Sequence, residues 1–167
     1  PHPVCRLDQL VGCQSRHSSH QFLSVRHVLP YGSGRPDHFV IAVHGNTFPA
    51  IADFDLPVPG YSLAAHLAAT GLGVCLFDQR GYGNSYKPRG TDWMALSDWR
   101  ITDLETIYHH VKVEYRPRHI SLIGLSTGCN TIARFLERTD CEIRRLIFMG
   151  PCYLCNDFNS RTWRKIN

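Results

Sequence analysis

The most constraining feature of the chain is a junction. The apolar run from Ile120 to Leu125 leads without a break into Ser126-Thr127-Gly128, and Cys129, Ile132, Ala133 and Leu136 then recur at helical spacing. A short, nearly continuous apolar run reads as a strand buried on both faces, and the spacing that follows reads as one face of a helix. A strand that becomes a helix with no loop between them forces a tight turn at Ser126. Gly124 and Gly128 flank it, where a Cβ would meet neighbouring backbone in so sharp a bend. The turn lifts the Ser126 hydroxyl above the sheet. It also places the free N–H groups of the helix start beneath that hydroxyl, a position that favours negative charge. Ser126 is therefore the candidate nucleophile, and the Thr127 N–H a candidate donor to a developing oxyanion. Ser85 also lies among glycines, but no buried strand runs directly into it, and it reads as a loop residue.

The rest of the chain repeats the same alternation. Phe39 to Val43, Val74 to Phe77 and Leu146 to Met149 are further buried strands, the last stopped by Gly150-Pro151. Tyr61 to Thr70 is helical and ends at Gly71; Ser97 to about Val113 is an amphipathic helix carrying Leu104, Ile107, Tyr108 and Val111. The expected fold class is α/β: a mostly parallel sheet with helices on both faces. Ahead of it, Phe22 to Leu29 reads as an edge strand and Tyr31 to Asp37 as a turn. Residues 1–21 form a polar leader expected to be irregular, leaving 22–167 as the folded domain. In such sheets ligands bind beyond the carboxyl ends of the strands.

Two segments stand at those ends. His44-Gly45-Asn46-Thr47 follows the first parallel strand; Gly45 allows close backbone approach, and an N–H of Asn46, in preference to Thr47, supplies the second oxyanion donor. His44 precedes the nucleophile and reads as a structural residue bonding nearby loop backbone. Asp78 and Arg80 follow the second strand and read as a pair that pins the glycine-rich loop through Ser85. Phe48 to Gly60, with Asp53 and Asp55, reads equally as a pocket wall or an ordinary surface loop.

Charge and composition narrow the function classes. A formal net charge of +4, with acids and bases interspersed, gives no basis for nucleic-acid binding. Arg161, Arg164 and Lys165 read as a solvated end. No apolar run reaches the length of about 18 residues that a membrane helix needs, and no secretory signal is visible. The 7 cysteines are odd in number and scattered, unlike a disulfide framework, which points to a reducing, cytoplasmic setting. Cys152-x-x-Cys155 lacks a second ligand pair for zinc, so no metal or cofactor is implied. His109 and His110 are expected to face solvent at least in part, and Trp93 and Trp99 to pack in the core or at a pocket edge.

Taken together, Val43-His44-Gly45-Asn46, Phe77 to Ser85 and Gly124 to Gly128 resemble the α/β-hydrolase superfamily, closest to its serine esterase, lipase and peptidase-like members. The resemblance covers about residues 22–151. It implies the fold, a Ser126 nucleophile, and oxyanion donors at Asn46 and Thr127. His-Gly-Asn is shared with dehalogenase-like and epoxide-hydrolase-like branches, whose carboxylate nucleophile Ser126 argues against. In this superfamily the order along the chain is serine, then an acid, then histidine. Here all 10 histidines lie at or before His119. Of the late acids, Asp157 stands where some members place theirs. The expectation is an α/β-hydrolase core lacking its C-terminal strands, a fragment close to inactive alone, acting on a small-molecule acyl substrate. The alternatives are His44 as a displaced base, a non-catalytic binding protein, or an acyltransferase.

Overall fold

The computed structural model describes residues 3–13, 21–32, 35–88 and 93–151, with the side chains of 93–97 outside it. Asp157, the Cys152/Cys155 pair and the Trp93 side chain therefore lie outside the described residues.

Six strands form one mixed sheet: β1 (Val4–Gly12), β2 (Phe22–Pro30), β3 (His38–Val43), β4 (Gly73–Phe77), β5 (His119–Leu125) and β6 (Leu146–Met149), in the order β1-β2-β4-β3-β5-β6. The four expected parallel strands are adjacent, with β3 between β4 and β5 and β6 beyond β5. In β3, β4 and β5 the near-unbroken burial follows from coverage on both faces. β6, expected to be buried as well, instead ends the sheet with Leu146, Ile147 and Phe148 exposed, because no described element covers them. On one side, α3 (Trp93–Glu114) and α4 (Thr127–Arg138) bury Leu104, Ile107, Val111, Ile132 and Phe135 against Phe39, Ile41, Val43, Cys75 and Leu122. On the other, α1 (Ala50–Phe54) and α2 (Leu63–Ala69) bury Ala50, Phe54, Ala64 and Ala68 against Val28, Val40, Ala42 and Leu76. No described helix is long and apolar enough to cross a membrane.

The N-terminal expectations need correction. The leader expected to be irregular contains β1, paired antiparallel with the whole of β2, so β2 is an interior strand and not an edge. Polar residues form this strand because their partners lie elsewhere in the chain. Arg6 binds Asp55 through Nη2 at 2.8 Å, and Asp8 pairs with Arg26 at 2.7 Å. Burial alone would raise the Asp55 carboxyl, but donors from Arg6, Ser62 and Arg26 outweigh it and hold the group below the usual range. Asp55 thereby ties β1 and β2 to the Ser62 cap of α2. Within the Phe48–Gly60 stretch, α1 is a second element that composition did not signal.

Opposite this cluster, the Gln9 amide lies 2.7 Å from His27 Nε2 and 2.6 Å from His110 Nε2. His110 is thus half-buried and bonded, while His109 remains exposed. His27 has no exposed surface, its ring packs against Phe39 and Tyr115, and its Nδ1 has no partner among the described residues. Burial, with the neighbouring His110, pushes its imidazole from 6.5 down to about 4. Between these values the unfolded chain holds a proton that the folded chain refuses, so stability rises with pH across the window. At 1.36 kcal/mol per pH unit, acidification from 6.5 to 4 removes about 3 kcal/mol. In urea titrations, His27→Gln is expected to lose at least half of the stability difference between pH 4 and pH 7; an unchanged difference would place the acid sensitivity elsewhere.

Candidate active site

The carboxyl ends of β3, β5 and β6 meet at Ser126. This residue has φ 53° and ψ −118°, a conformation that non-glycine residues rarely adopt, and it occupies the cap position of α4 directly after β5. Such backbone costs about 1–3 kcal/mol and persists only where surrounding structure enforces it. The enforcement is visible. The Ser126 N–H donates to the Met149 carbonyl at 2.9 Å, and its own carbonyl accepts from the Cys129 N–H at 3.0 Å. A Cβ on Gly124 would lie 2.8 Å from the Cys129 nitrogen. One on Gly128 would overlap the Val43 carbonyl oxygen and sit 2.8 Å from that of His44. Both glycines are required because helix backbone rests directly on strand ends.

The same contacts bring the His44–Thr47 loop to the elbow: a Cβ on Gly45 would be 3.4 Å from both Ser126 Cβ and the Leu125 carbonyl. The Gly45 N–H donates to Asp53 Oδ2 at 3.1 Å. Asn46 is exposed, and its Oδ1 accepts from Arg100 Nη2 at 2.6 Å and from the Tyr82 hydroxyl at 3.3 Å. Thr127 heads α4, whose first N–H groups have no partner within the helix; its buried Oγ1 has none among the described residues.

His44 lies fully buried. Its Nδ1 is 2.7 Å from the Gly45 carbonyl, and its Nε2 accepts from the Gln79 N–H at 3.0 Å. Desolvation lowers its pKa, keeping the ring neutral and fit to accept that bond. Both nitrogens are occupied by loop backbone.

Asp78 and Arg80 do not act as a pair. Asp78 accepts from the Ala50 N–H at 2.9 Å and the Asn84 N–H at 3.1 Å, joining α1 to the Gly81–Ser85 loop, and its carbonyl receives the Ser85 hydroxyl. Arg80 turns to α3 and binds Asp103 at 2.6 Å, with Trp99 stacked 4.9 Å from its guanidinium. The sequence reading missed the roles of Asp103, Arg100 and Tyr82, and named Asp53 only as part of a pocket wall or surface loop. Each sits at an ordinary helix or loop position, and only the fold reveals its partner.

This arrangement, a serine on a strained strand-to-helix turn in a sheet covered on both faces, defines an α/β-hydrolase fold. The chain belongs to the serine aminopeptidase, S33, family, whose model matches residues 60–166. Among solved structures it is similar to the Pyrococcus furiosus esterase Pf2001, with 26% identity and a TM-score of 0.68 over 87% of this chain and 49% of that one. A predicted CIB-like hydrolase from Thermoplasma acidophilum shares the fold at 13% identity and TM-score 0.67, over 89% of this chain and 64% of that one. So does the 2-hydroxy-6-oxo-6-phenylhexa-2,4-dienoate hydrolase of Rhodococcus, at 15% identity and TM-score 0.64, over 90% and 48%. The chain thus spans roughly half to two thirds of these structures. No curated protein matches it.

Proposed function

We propose that this chain is the nucleophile-bearing part of a serine hydrolase that cleaves an ester, thioester or amide. The Ser126 oxygen bonds to the substrate carbonyl carbon, and the carbonyl oxygen becomes an oxyanion received by the N–H groups of Asn46 and Thr127. The bond to the leaving group breaks, that group takes up the serine proton through a base, and water then releases the acid from Ser126. The observation that carries this reading is the left-handed backbone at Ser126 with the Gly45 loop against its Cβ. Family membership supports hydrolysis, and the esterase likeness favours an ester.

The base is the missing part. The sequence carries no histidine after Ser126, and His44, which directly follows β3, has both ring nitrogens committed. Asp157 remains the proposed acid. Without a base the hydroxyl is a weak nucleophile, and only residual catalysis is expected from the oxyanion hole and binding. Alone, the same pocket would bind an acyl compound without turning it over.

A fluorophosphonate probe tests this: the Ser126 oxygen bonds to phosphorus, fluoride leaves, and the proton passes to solvent or an added base. The 167-residue chain is expected to label slowly, about tenfold or more faster with imidazole supplied as base, and Ser126→Ala not at all. Equal labelling of Ser126→Ala and the parent chain would remove Ser126 from the mechanism.

A further inference from the structure

The loop that carries Asn46 is tied on two sides. At Gly45 the backbone N–H is consumed by Asp53 Oδ2 at 3.1 Å, so the loop's oxyanion donor in the mechanism proposed above is the next N–H, that of Asn46. At Asn46 itself the tie is the side chain, 2.6 Å from Arg100 Nη2 on α3. We propose that Arg100 is a positioning residue for the oxyanion loop, acting through Asn46. The inference rests on the reading of Ser126 as nucleophile.

Three observations carry it. A guanidinium has only donors, so the Asn46 atom facing Arg100 is its carbonyl oxygen, and the amide can take one orientation only. The Tyr82 hydroxyl reaches the same oxygen at 3.3 Å and also lies 3.3 Å from Arg100 Nη2, closing a three-membered ring of contacts. The Tyr82 ring in turn packs edge-on against His44 with centroids 4.7 Å apart, and Arg100 lies 5.8 Å from that ring's centroid. The contacts therefore run from α3 through Tyr82 and Asn46 to the buried His44. Among the described residues no carboxylate lies within ion-pair distance of Arg100, so its short hydrogen bond to Asn46 is its principal commitment. Asn46 is exposed and follows a glycine; a donor in so free a segment is preorganised only if something outside the segment holds it. The cation also offsets the Asp53 carboxylate on the other side of Gly45, which would otherwise oppose a forming oxyanion.

The test uses the 167-residue chain with imidazole, titrated with a fluorophosphonate to separate the maximal inactivation rate from the probe's half-saturating concentration. Arg100→Met is expected to lower the maximal rate on the order of tenfold. The half-saturating concentration and the unfolding temperature are expected to stay unchanged. Arg100→Lys, which keeps charge without the planar fork, restores part of the rate, and Tyr82→Phe has a smaller effect than Arg100→Met. In 15N relaxation of the same proteins, the backbone heteronuclear NOE of Asn46 falls in Arg100→Met. A maximal rate and an Asn46 NOE both equal to the parent's would overturn the proposal while leaving the Ser126 reading intact. A parent chain that never labels, even with imidazole, defeats the Ser126 reading and this inference with it.

Discussion

Gly128→Ala is expected to destabilise the fold by about 3 kcal/mol or more, at the upper end of overpacking costs. Helix propensity alone predicts the opposite, because alanine inside a helix is worth about 1 kcal/mol more than glycine. Sterics decide the sign. The added Cβ would overlap the Val43 carbonyl oxygen and approach that of His44 to 2.8 Å, and both are backbone atoms at the end of a central strand. No rotamer change relieves such a contact, so α4 must lift off β3 or the turn at Ser126 must open. Gly12→Ala is the control, since nothing lies within 4 Å of its added Cβ, and it is expected to change stability little. Chemical denaturation of both variants checks the ranking. A neutral or stabilised Gly128→Ala would mean that the elbow is not seated on β3.

Arg80→Met is expected to cost about 3–5 kcal/mol, the usual consequence of stranding one member of a buried ion pair. The Arg80 and Asp103 side chains are 5% and 1% exposed, so water cannot take over the lost interaction. Arg80 also donates to Gln21 and Thr102, each at 2.7 Å, so of the loop's ties to Asp103 and Thr102 on α3 only the bond from the residue 80 N–H to Asp103 remains. Burial already pushes the Asp103 carboxyl up to about 6 with the guanidinium against it. Removing that cation favours the protonated acid further. The penalty is therefore expected to be smaller at pH 5 than at pH 8, because protonation removes the stranded charge. Adding Asp103→Leu to Arg80→Met is expected to recover part of the loss, since an apolar pair leaves no buried charge uncompensated. Urea midpoints at the two pH values measure each effect. A penalty independent of pH would show that packing around Trp99, and not charge, dominates.

The regions legible in the sequence share one property: their neighbours in the fold are close in the chain or generic in kind. The apolar runs of β3, β4 and β5 need only cover on both faces, and any apolar helix surface supplies it; the run of β6 marked a strand but not its burial, since Leu146, Ile147 and Phe148 stay exposed at the end of the sheet. The elbow was readable because Gly124, Ser126 and Gly128 lie within five residues, and their spacing alone dictates a turn. The spacing of α3 and α4 likewise marked their inward faces.

Where the reading failed, the deciding partner was distant. β1 looked irregular because Arg6, Asp8 and Gln9 carry no strand signal; their partners are Asp55, Arg26, His27 and His110. Asp78 and Arg80 were read as one unit because they are two residues apart, yet Arg80 is satisfied by Asp103 across the α3 interface. The sequence by itself determined a parallel core and a serine at its sharpest bend, since local spacing is enough to impose both. Only the tertiary structure decided which charges meet, how the N-terminal strand is held, and which backbone groups, the Gly45 carbonyl and the Gln79 N–H, face the two nitrogens of His44. Hydrogen bonds and ion pairs between distant segments depend on the path of the whole chain, and residue order alone does not encode their geometry.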